Sequence, residues 1–558
     1  MKTKNIHFRG LLIVFPVLFL AVAFSGVWVQ AVRVYSQAPA SPRTVRRHCG
    51  ALPMAAGNVV HVDNVNGLVD AVNHAAVSTT ILLADGNYSL DGAYLRIDTA
   101  GVTLRSASGN PDAVVLDGNY LSDEIIQIVA SNATVADLTI RRAVHHPIHV
   151  MSTSSADVTG TLIYNVHIID PGQQAIKINP VDSAHFPDDG TVACSVIRLT
   201  NAGRSHIHDD CYTGGIDAHQ ARGWLIRDNL IEGFWCESGL SEHGIHFWRG
   251  SRDTLIERNQ LMDNARGIGL GLTENGSGRT YTDNPCPGAG GGFVEHYGGM
   301  IRNNFVSAGS SALFASAFGF DCGICLAQAC GAKVLHNSVA STVAPFSSIE
   351  WRFGHTSAEI RNNLVSHNLR DRGGSAVLSD NRENVPMASF VDVAGGDLHL
   401  KPHAVSYIDQ VSLLPEVRDD FDGDERPAGS AADIGADEYV LPVPQAIGDL
   451  RLTDVISKGG VLTFTLHWTP PQFAITTTLR YSGGLISDEN WHAASVLTDS
   501  LTGTRDFFSD AVSVGHATIY FALKTQNTNG DWSGVSNNAF YPGWFIFLPL
   551  AAKASGLP

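Results

Sequence analysis

Positive charge is scarce in this chain. Its 37 Lys and Arg stand against 54 Asp and Glu, for a net charge of −17 at pH 7. No basic stripe with interleaved aromatics interrupts the acidic background, so a nucleic-acid partner is excluded. Long apolar runs are equally scarce. Lys4 and Arg9 precede about fourteen mostly apolar residues, Leu11 to Phe24, and Val29-Gln30-Ala31 then offers a small-residue cleavage site. Residues 1–31 therefore read as a secretory signal, with retention as a single membrane anchor the alternative. No later stretch is apolar enough over a bilayer's length. Residues 32–57 read as a linker. Two-residue hairpin signals are few, which argues against a sandwich for the middle of the chain.

What that middle does contain is a series of short apolar segments in register: Pro147-Ile148-His149-Val150, Ala175-Ile176-Lys177-Ile178, Gly215-Ile216-Asp217-Ala218, Gly244-Ile245-His246-Phe247, Gly267-Ile268-Gly269-Leu270 and Ala312-Leu313-Phe314-Ala315. The apolar period within them is 2, as in strands, and not the 3.6 of helices. A second series punctuates the first: Tyr164-Asn165-Val166, Asp228-Asn229-Leu230, Arg258-Asn259-Gln260, Asn303-Asn304-Phe305, His336-Asn337-Ser338 and Asn362-Asn363-Leu364, with Ser195 in the Asn place of one weak copy. A repeat of roughly 22 to 30 residues, rich in β-branched residues and Gly, is the signature of a solenoid. The expected fold class is all-β, a right-handed parallel β-helix followed by a small β-sandwich. The repeated Asn is expected to accept left-handed backbone angles and to bond along the stack.

With this pattern, residues 58–440 resemble the pectate-lyase-like family of parallel β-helix proteins. Ala84-Asp85-Gly86-Asn87-Tyr88 and Val115-Leu116-Asp117-Gly118 look like first coils of such proteins. Phe421-Asp422-Gly423-Asp424-Glu425-Arg426-Pro427, with Asp433-Ile434-Gly435-Ala436-Asp437-Glu438-Tyr439, resembles a segment that closes secreted β-helices. The acidic run lacks the regular spacing of an EF-hand, so it reads as a capping turn and not as a calcium loop.

After Leu441-Pro442-Val443-Pro444 the pattern changes. Leu462–Thr469 alternates faces cleanly around Trp468, and Leu479–Ser482 and Ile519–Lys524 follow at sandwich-like spacing. Residues 441–541 resemble a fibronectin type III domain, a module for spacing or cell-surface attachment. Residues 542–558 form a tail whose apolar stretch, Trp544–Leu550, is too short to span a membrane. The eight cysteines suit disulfides in an exported protein. Cys194/Cys211 and Cys236/Cys286 are the expected loop staples, and Cys322, Cys325 and Cys330 with Cys286 are a weaker zinc alternative.

Chemistry concentrates on one face of the expected strands. Residues between the inward aliphatics point outward, so two rows emerge: His149, Lys177, Asp217, His246, then Gly269; and Met151, Asn179, His219, Trp248, then Gly271. At ~4.8 Å per strand the four ionisable groups span roughly 15 Å, the length of a few sugar rings. Polar groups for orientation, an aromatic face for stacking and a glycine shelf suit a polysaccharide groove. Insertions at about 180–213, 273–298 and 317–331 would wall it, and arginines on adjacent coils, Arg249 among them, make it locally basic. The alternative is a solvated solenoid surface that binds nothing.

Gly215-Ile216-Asp217-Ala218-His219 also resembles the Gly-Phe-Asp-Pro-His motif of mannuronan C5-epimerases, which implies that Asp217 and His219 carry that family's acid and histidine. Gly214 stands where the motif has Tyr, and Glu242 stands before His243-Gly244 where an Arg is expected.

The reading is a secreted or cell-surface enzyme, monomeric, acting on an acidic polysaccharide as a lyase. Epimerisation or hydrolysis on the same surface, or non-catalytic glycan binding, are the alternatives. Both lyase and epimerase abstract the proton α to a uronate carboxylate, which takes a base and positive charge. Lys177, crowded by His149 and His246 and so lowered in pKa, is the expected base. His219 competes, with Asp217 orienting the imidazole or holding Ca2+. His243, His246 and Arg249 would neutralise the carboxylate or protonate the leaving oxygen, and His149, Asn179, Trp248, Arg249, Gly269 and Gly271 would line the substrate. The sequence identifies no cofactor with certainty and leaves the metal requirement open; Ca2+ is the candidate ion, with Asp209, Asp210 and Asp217 its weak candidate ligands.

Overall fold

The structure is a computed structural model that describes residues 49–513, 517–527 and 530–543. The expected signal segment, most of the linker and the apolar tail lie outside these residues. Three long sheets of parallel strands, of fourteen, ten and ten strands, run through the first two-thirds of the chain. Successive strands pass from one sheet to the next and return a coil later. His167–Ile169, for example, pairs in parallel with Thr139–Arg141 before it and Val196–Arg198 after it. This is a parallel β-helix.

Period-2 alternation sends one aliphatic side chain per strand inward, and the register stacks them. In the sheet carrying the chemistry, Ile126, Ile148, Ile176, Ile216, Ile245, Ile268, Ile324 and Ile349 pair in sequence, each with no exposed surface. Each buried isoleucine contributes about 1.5–3 kcal/mol relative to exposure. The stack contributes to a core shared with the other two sheets, and it holds the outward row in fixed order. A short helix, Val65–Asn73, capped by Asn64 accepting from the Gly67 N–H (2.9 Å), buries Leu68 and Val72 in the same core.

The asparagine repeat forms a buried ladder. Each side-chain amide donates to the next Asn Oδ1, from Asn229 to Asn259 (3.0 Å), Asn304 (3.0 Å), Asn337 (2.9 Å), Asn363 (3.0 Å) and Asn381 (2.9 Å). Ser195 joins it by donating its backbone N–H to Asn229 Oδ1. The left-handed backbone falls on Asn165 itself, as expected, but one residue before the repeated position in the later copies, on Cys194, Asp228, Arg258, Asn303, His336 and Asn362. The turn before the ladder residue bends the chain, which frees the Asn side chain to point inward and stack.

One expected strand is wrong. Ala312–Ala315 lies in a short helix, Ser311–Ala315, and the next strand of the sheet is Cys322–Ala327. Part of the third expected insertion is thus core solenoid. Ser310 explains the error by capping a helical turn through Leu313 N. The expected disulfides are also replaced: the bonds are Cys49–Cys194, Cys211–Cys236, Cys286–Cys330 and Cys322–Cys325, and no free thiol remains among the described residues for zinc.

At the end of the solenoid the acidic segment closes on itself. Asp420 accepts from Asp424 N and Glu438 N, and buried Arg426 pairs with Glu438 at 2.8 Å. These carboxylates serve backbone N–H groups, as a capping turn requires. Beyond it, three antiparallel strands (Arg451–Lys458, Val461–His467, Phe507–Ser513) and four more (Thr476–Ser482, Ser495–Thr502, Ile519–Gln526, Ala539–Tyr541) enclose a separate core around Trp468, Phe464 and Phe521. No helix among the described residues is long and apolar enough to cross a membrane.

Candidate functional site

The register aligns the outward row as the periodicity requires: His149 beside Lys177, Lys177 beside Asp217, Asp217 beside His246, His246 beside Gly269, and His219 beside Trp248. What the alternation does not reveal is burial. Asp217 is 1 %, His246 0 %, His243 1 % and Trp248 9 % exposed. The row is a roofed cluster and not an open shelf. His243 itself fills the space at Gly269, where an added Cβ would meet its ring at 2.6 Å, and Gly271 (φ +80°) backs onto the Ala327 carbonyl.

Asp217 is the hub. Its Oδ1 accepts from Trp248 Nε1 (2.8 Å) and lies 3.4 Å from His246 Nδ1. Its Oδ2 accepts from the Lys177 ammonium and lies 3.2 Å from His219 Nε2 and 3.4 Å from the Tyr212 hydroxyl. Lys177 Nζ also donates to Tyr212 (3.0 Å) and lies 3.1 Å from His219 Nε2. Behind this group, Glu242 Oε2 lies 3.1 Å from His246 Nδ1. The Trp248 indole stacks on His246 (5.1 Å, 13°) and meets His219 edge-on. His149, one coil earlier, is held between Glu124 (2.5 Å) and Asn179 (2.6 Å). Arg249 is exposed and lies over the Trp248 ring.

This geometry divides the charges. Burial works against the Lys177 ammonium, but Asp217 and Tyr212 more than offset it and raise its pKa. The expected lowering of Lys177 is therefore overturned: its neighbours are an anion and a phenol, while His149 turns away to Glu124. Burial drives His219 down, against the pull of Asp217. Burial also raises the Tyr212 phenol, helped by Asp217. Asp217 resists burial through Lys177 and His219 and stays well below the usual carboxylate range. Burial lowers His243 to about 3, whereas Asp217 and Glu242 overcome it at His246 and raise that imidazole to about 9. Near neutral pH the Asp217 carboxylate is surrounded by the Lys177 ammonium, the His246 imidazolium, the neutral His219 imidazole and the protonated Tyr212 phenol.

Several expected roles change. His243 and His246 have no surface to offer a substrate, so they support the site from behind. Ca2+ does not fit at Asp217, whose oxygens face an ammonium and N–H donors. Asp209 accepts from the Gln173 amide instead, and neither it nor Asp210 belongs to a cluster of potential metal ligands among the described residues. Tyr212 and Glu242 were missed as site members. Tyr212 lies before its strand, two residues upstream of the place the epimerase-like motif assigns to Tyr, and only the loop's path returns its hydroxyl to Asp217. Beside Tyr212, a cleft of about 690 Å³ is lined by Arg204, Asp210, Cys211, Trp235 and Glu237. The first two expected insertions brace each other, Arg279 pairing with Asp188 at 2.8 Å over the Phe186 ring.

No family model matches the sequence, and no curated protein does. Among solved structures, the chain is similar to pectate lyase Pel9A, with 13% identity and a TM-score of 0.44 over 70% of this chain and 98% of that one. An alginate lyase from Paenibacillus sp. str. FPU-7 matches with 14% identity and a TM-score of 0.40, over 59% and 98% of the two chains. The polygalacturonase from Erwinia carotovora ssp. carotovora matches with 11% identity and a TM-score of 0.31, over 60% and 98%.

Proposed function

We propose that the chain is a secreted or cell-surface polysaccharide lyase that cleaves an acidic, uronate-containing glycan by β-elimination. The observation that supports this best is the grouping of His219, Lys177 and Tyr212 within 3.4 Å of one Asp217 oxygen. With Nε2–H donated to Asp217, the other nitrogen of His219 is bare and takes the proton α to the uronate carboxylate. The electron pair passes to the carboxylate, where the Lys177 ammonium and exposed Arg249 offset the charge. Tyr212 protonates the leaving oxygen as the carbon–oxygen bond breaks, which leaves an unsaturated uronate.

Hydrolysis is less well supported, because a retaining or inverting hydrolase needs one protonated carboxyl. Here both Asp217 and Glu242 are held ionised. Epimerisation is the second reading, favoured by the return of a Tyr hydroxyl to the Gly215–His219 segment. The C-terminal sandwich is assigned as a fibronectin type III-like attachment module, and the protein as a monomer.

The test is ultraviolet absorbance of unsaturated product on pectate, alginate and glycosaminoglycans, with and without Ca2+. Product on one substrate, abolished by His219→Ala and Tyr212→Phe, is expected. Inversion at C5 in the recovered polymer, without absorbance, would identify an epimerase. Neither signal on any polymer would leave a binding protein.

A further inference from the structure

We propose that Glu242, His243 and His246 form a binding site for a first-row divalent transition metal ion of the Zn2+ type. This goes beyond the lyase reading and does not depend on it. Three donor atoms converge: one ligand atom from each of Glu242, His243 and His246 lies within 4.8 Å of the other two. Glu242 Oε2 is 3.1 Å from His246 Nδ1 and 3.7 Å from His243 Nδ1. Tetrahedral zinc with bonds of about 2.0–2.1 Å places its ligands roughly 3.3–3.4 Å apart, which these separations bracket.

All three atoms are buried and lack a hydrogen-bond partner. The two histidines are themselves 1 % and 0 % exposed. Unsatisfied buried nitrogens and a carboxylate oxygen aimed at one point call for an occupant. The second contact of His246 fits this, since its Nε2 lies 3.3 Å from the Gly271 carbonyl. A carbonyl at that nitrogen holds a proton there, so a metal ion at Nδ1 has only to displace the proton that His246 shares with Glu242 and Asp217. Gly269 makes the room in which the His243 ring turns toward the same point. Two imidazoles and one carboxylate select zinc-like ions over Ca2+ and Mg2+, which take oxygen ligands. Glu242 immediately precedes the strand His243–Trp248, and His243 and His246 are its first and fourth residues, so the rigid sheet positions the site.

The competing occupant is a proton, with His246 bridging Asp217 and Glu242 as an imidazolium. The experiment uses the full secreted chain, purified without a metal-affinity step and stripped with chelator. Zn2+ and Ca2+ are titrated by calorimetry, and Co2+ by its visible ligand-field spectrum. One equivalent of Zn2+, a tetrahedral Co2+ spectrum and no competition from Ca2+ are expected.

Glu242→Gln and His243→Ala are each expected to weaken Zn2+ by more than the roughly 10–100-fold that losing even an outer-shell partner costs. Asp422→Asn, in the other cluster of possible ligands among the described residues, leaves affinity unchanged. Should His243→Ala fail to fold, the near-isosteric Glu242→Gln decides. Absence of stoichiometric Zn2+ binding, or binding that survives Glu242→Gln in a folded protein, overturns the site. The Zn2+ titration is read without any glycan, so loss of Zn2+ binding overturns this site alone and absence of unsaturated product overturns the lyase reading alone.

Discussion

The Lys177–Asp217 pair offers a test that separates structural from chemical roles. The two groups are 9% and 1% exposed at their side chains, so each neutralises a charge that water cannot reach. Lys177→Met leaves the Asp217 carboxylate with N–H donors but no adjacent ammonium. Asp217→Asn leaves the ammonium facing Tyr212 and an amide. Breaking a buried pair by removing one partner costs about 3–5 kcal/mol, whereas replacing both with uncharged groups is often neutral. Urea unfolding is therefore expected to show two costly single variants and a double variant within about 2 kcal/mol of the parent. Activity should behave differently. Losing one preorganised electrostatic group costs about 10²–10³ in kcat, and restoring neutrality does not restore the ammonium. The double variant should thus be stable and as inactive as Lys177→Met. Additive stability costs would refute the pairing, and recovered activity in the double variant would show that Lys177 has only a structural role.

Further outcomes follow from the same geometry. With His219 lowered from its ordinary 6.5 and acting as base, kcat/KM rises as pH climbs through that lowered pKa and is on a plateau by neutral pH. Lys177 and Tyr212, both raised, keep their protons past pH 10, so the plateau extends that far; an acid limb centred above pH 7 would remove His219 from the role. Asn304→Leu orphans the Ile256 carbonyl and the Asn259 amide, at about 1–3 kcal/mol each, while Asn381→Ala at the ladder's end costs about 1 kcal/mol; equal shifts in a chemical melt would contradict the ladder. Ile245→Ala, in the middle of the isoleucine stack, is expected to cost about 2–5 kcal/mol by the same measurement, and a loss under 1 kcal/mol would mean that the stack relaxes around the cavity.

The parallel coils were legible because they depend on local pattern. Alternation fixes which side chain faces inward, and repetition of Ile148, Ile176, Ile216, Ile245 and Ile268 fixes which strands are neighbours. The pairing of His149 with Lys177, Asp217 and His246 followed directly. Ala312–Ala315 misled because four apolar residues fit a strand and a helical turn equally well, and only the downstream packing of Cys322–Ala327 decided between them. Disulfide partners were illegible for a similar reason. Cys49 meets Cys194 across 145 residues of sequence, because the segment before the first strand runs over the coils, where Arg105 and Tyr164 bond the Pro53 and Gly50 carbonyls.

The sequence by itself determined the solenoid, its register and the row of ionisable groups, since these arise from periodicity and from contacts that repeat every coil. Only the tertiary structure decided what those groups are. The path of the loop before Gly214–His219 brings Tyr212 over Asp217, and the start of the next strand folds Glu242 and His243 behind His246. Burial then sets the charge on each group: it makes His219 neutral, while the nearness of Asp217 keeps Lys177 charged. Protonation depends on distance and solvent in three dimensions, and neither is written in the order of the residues.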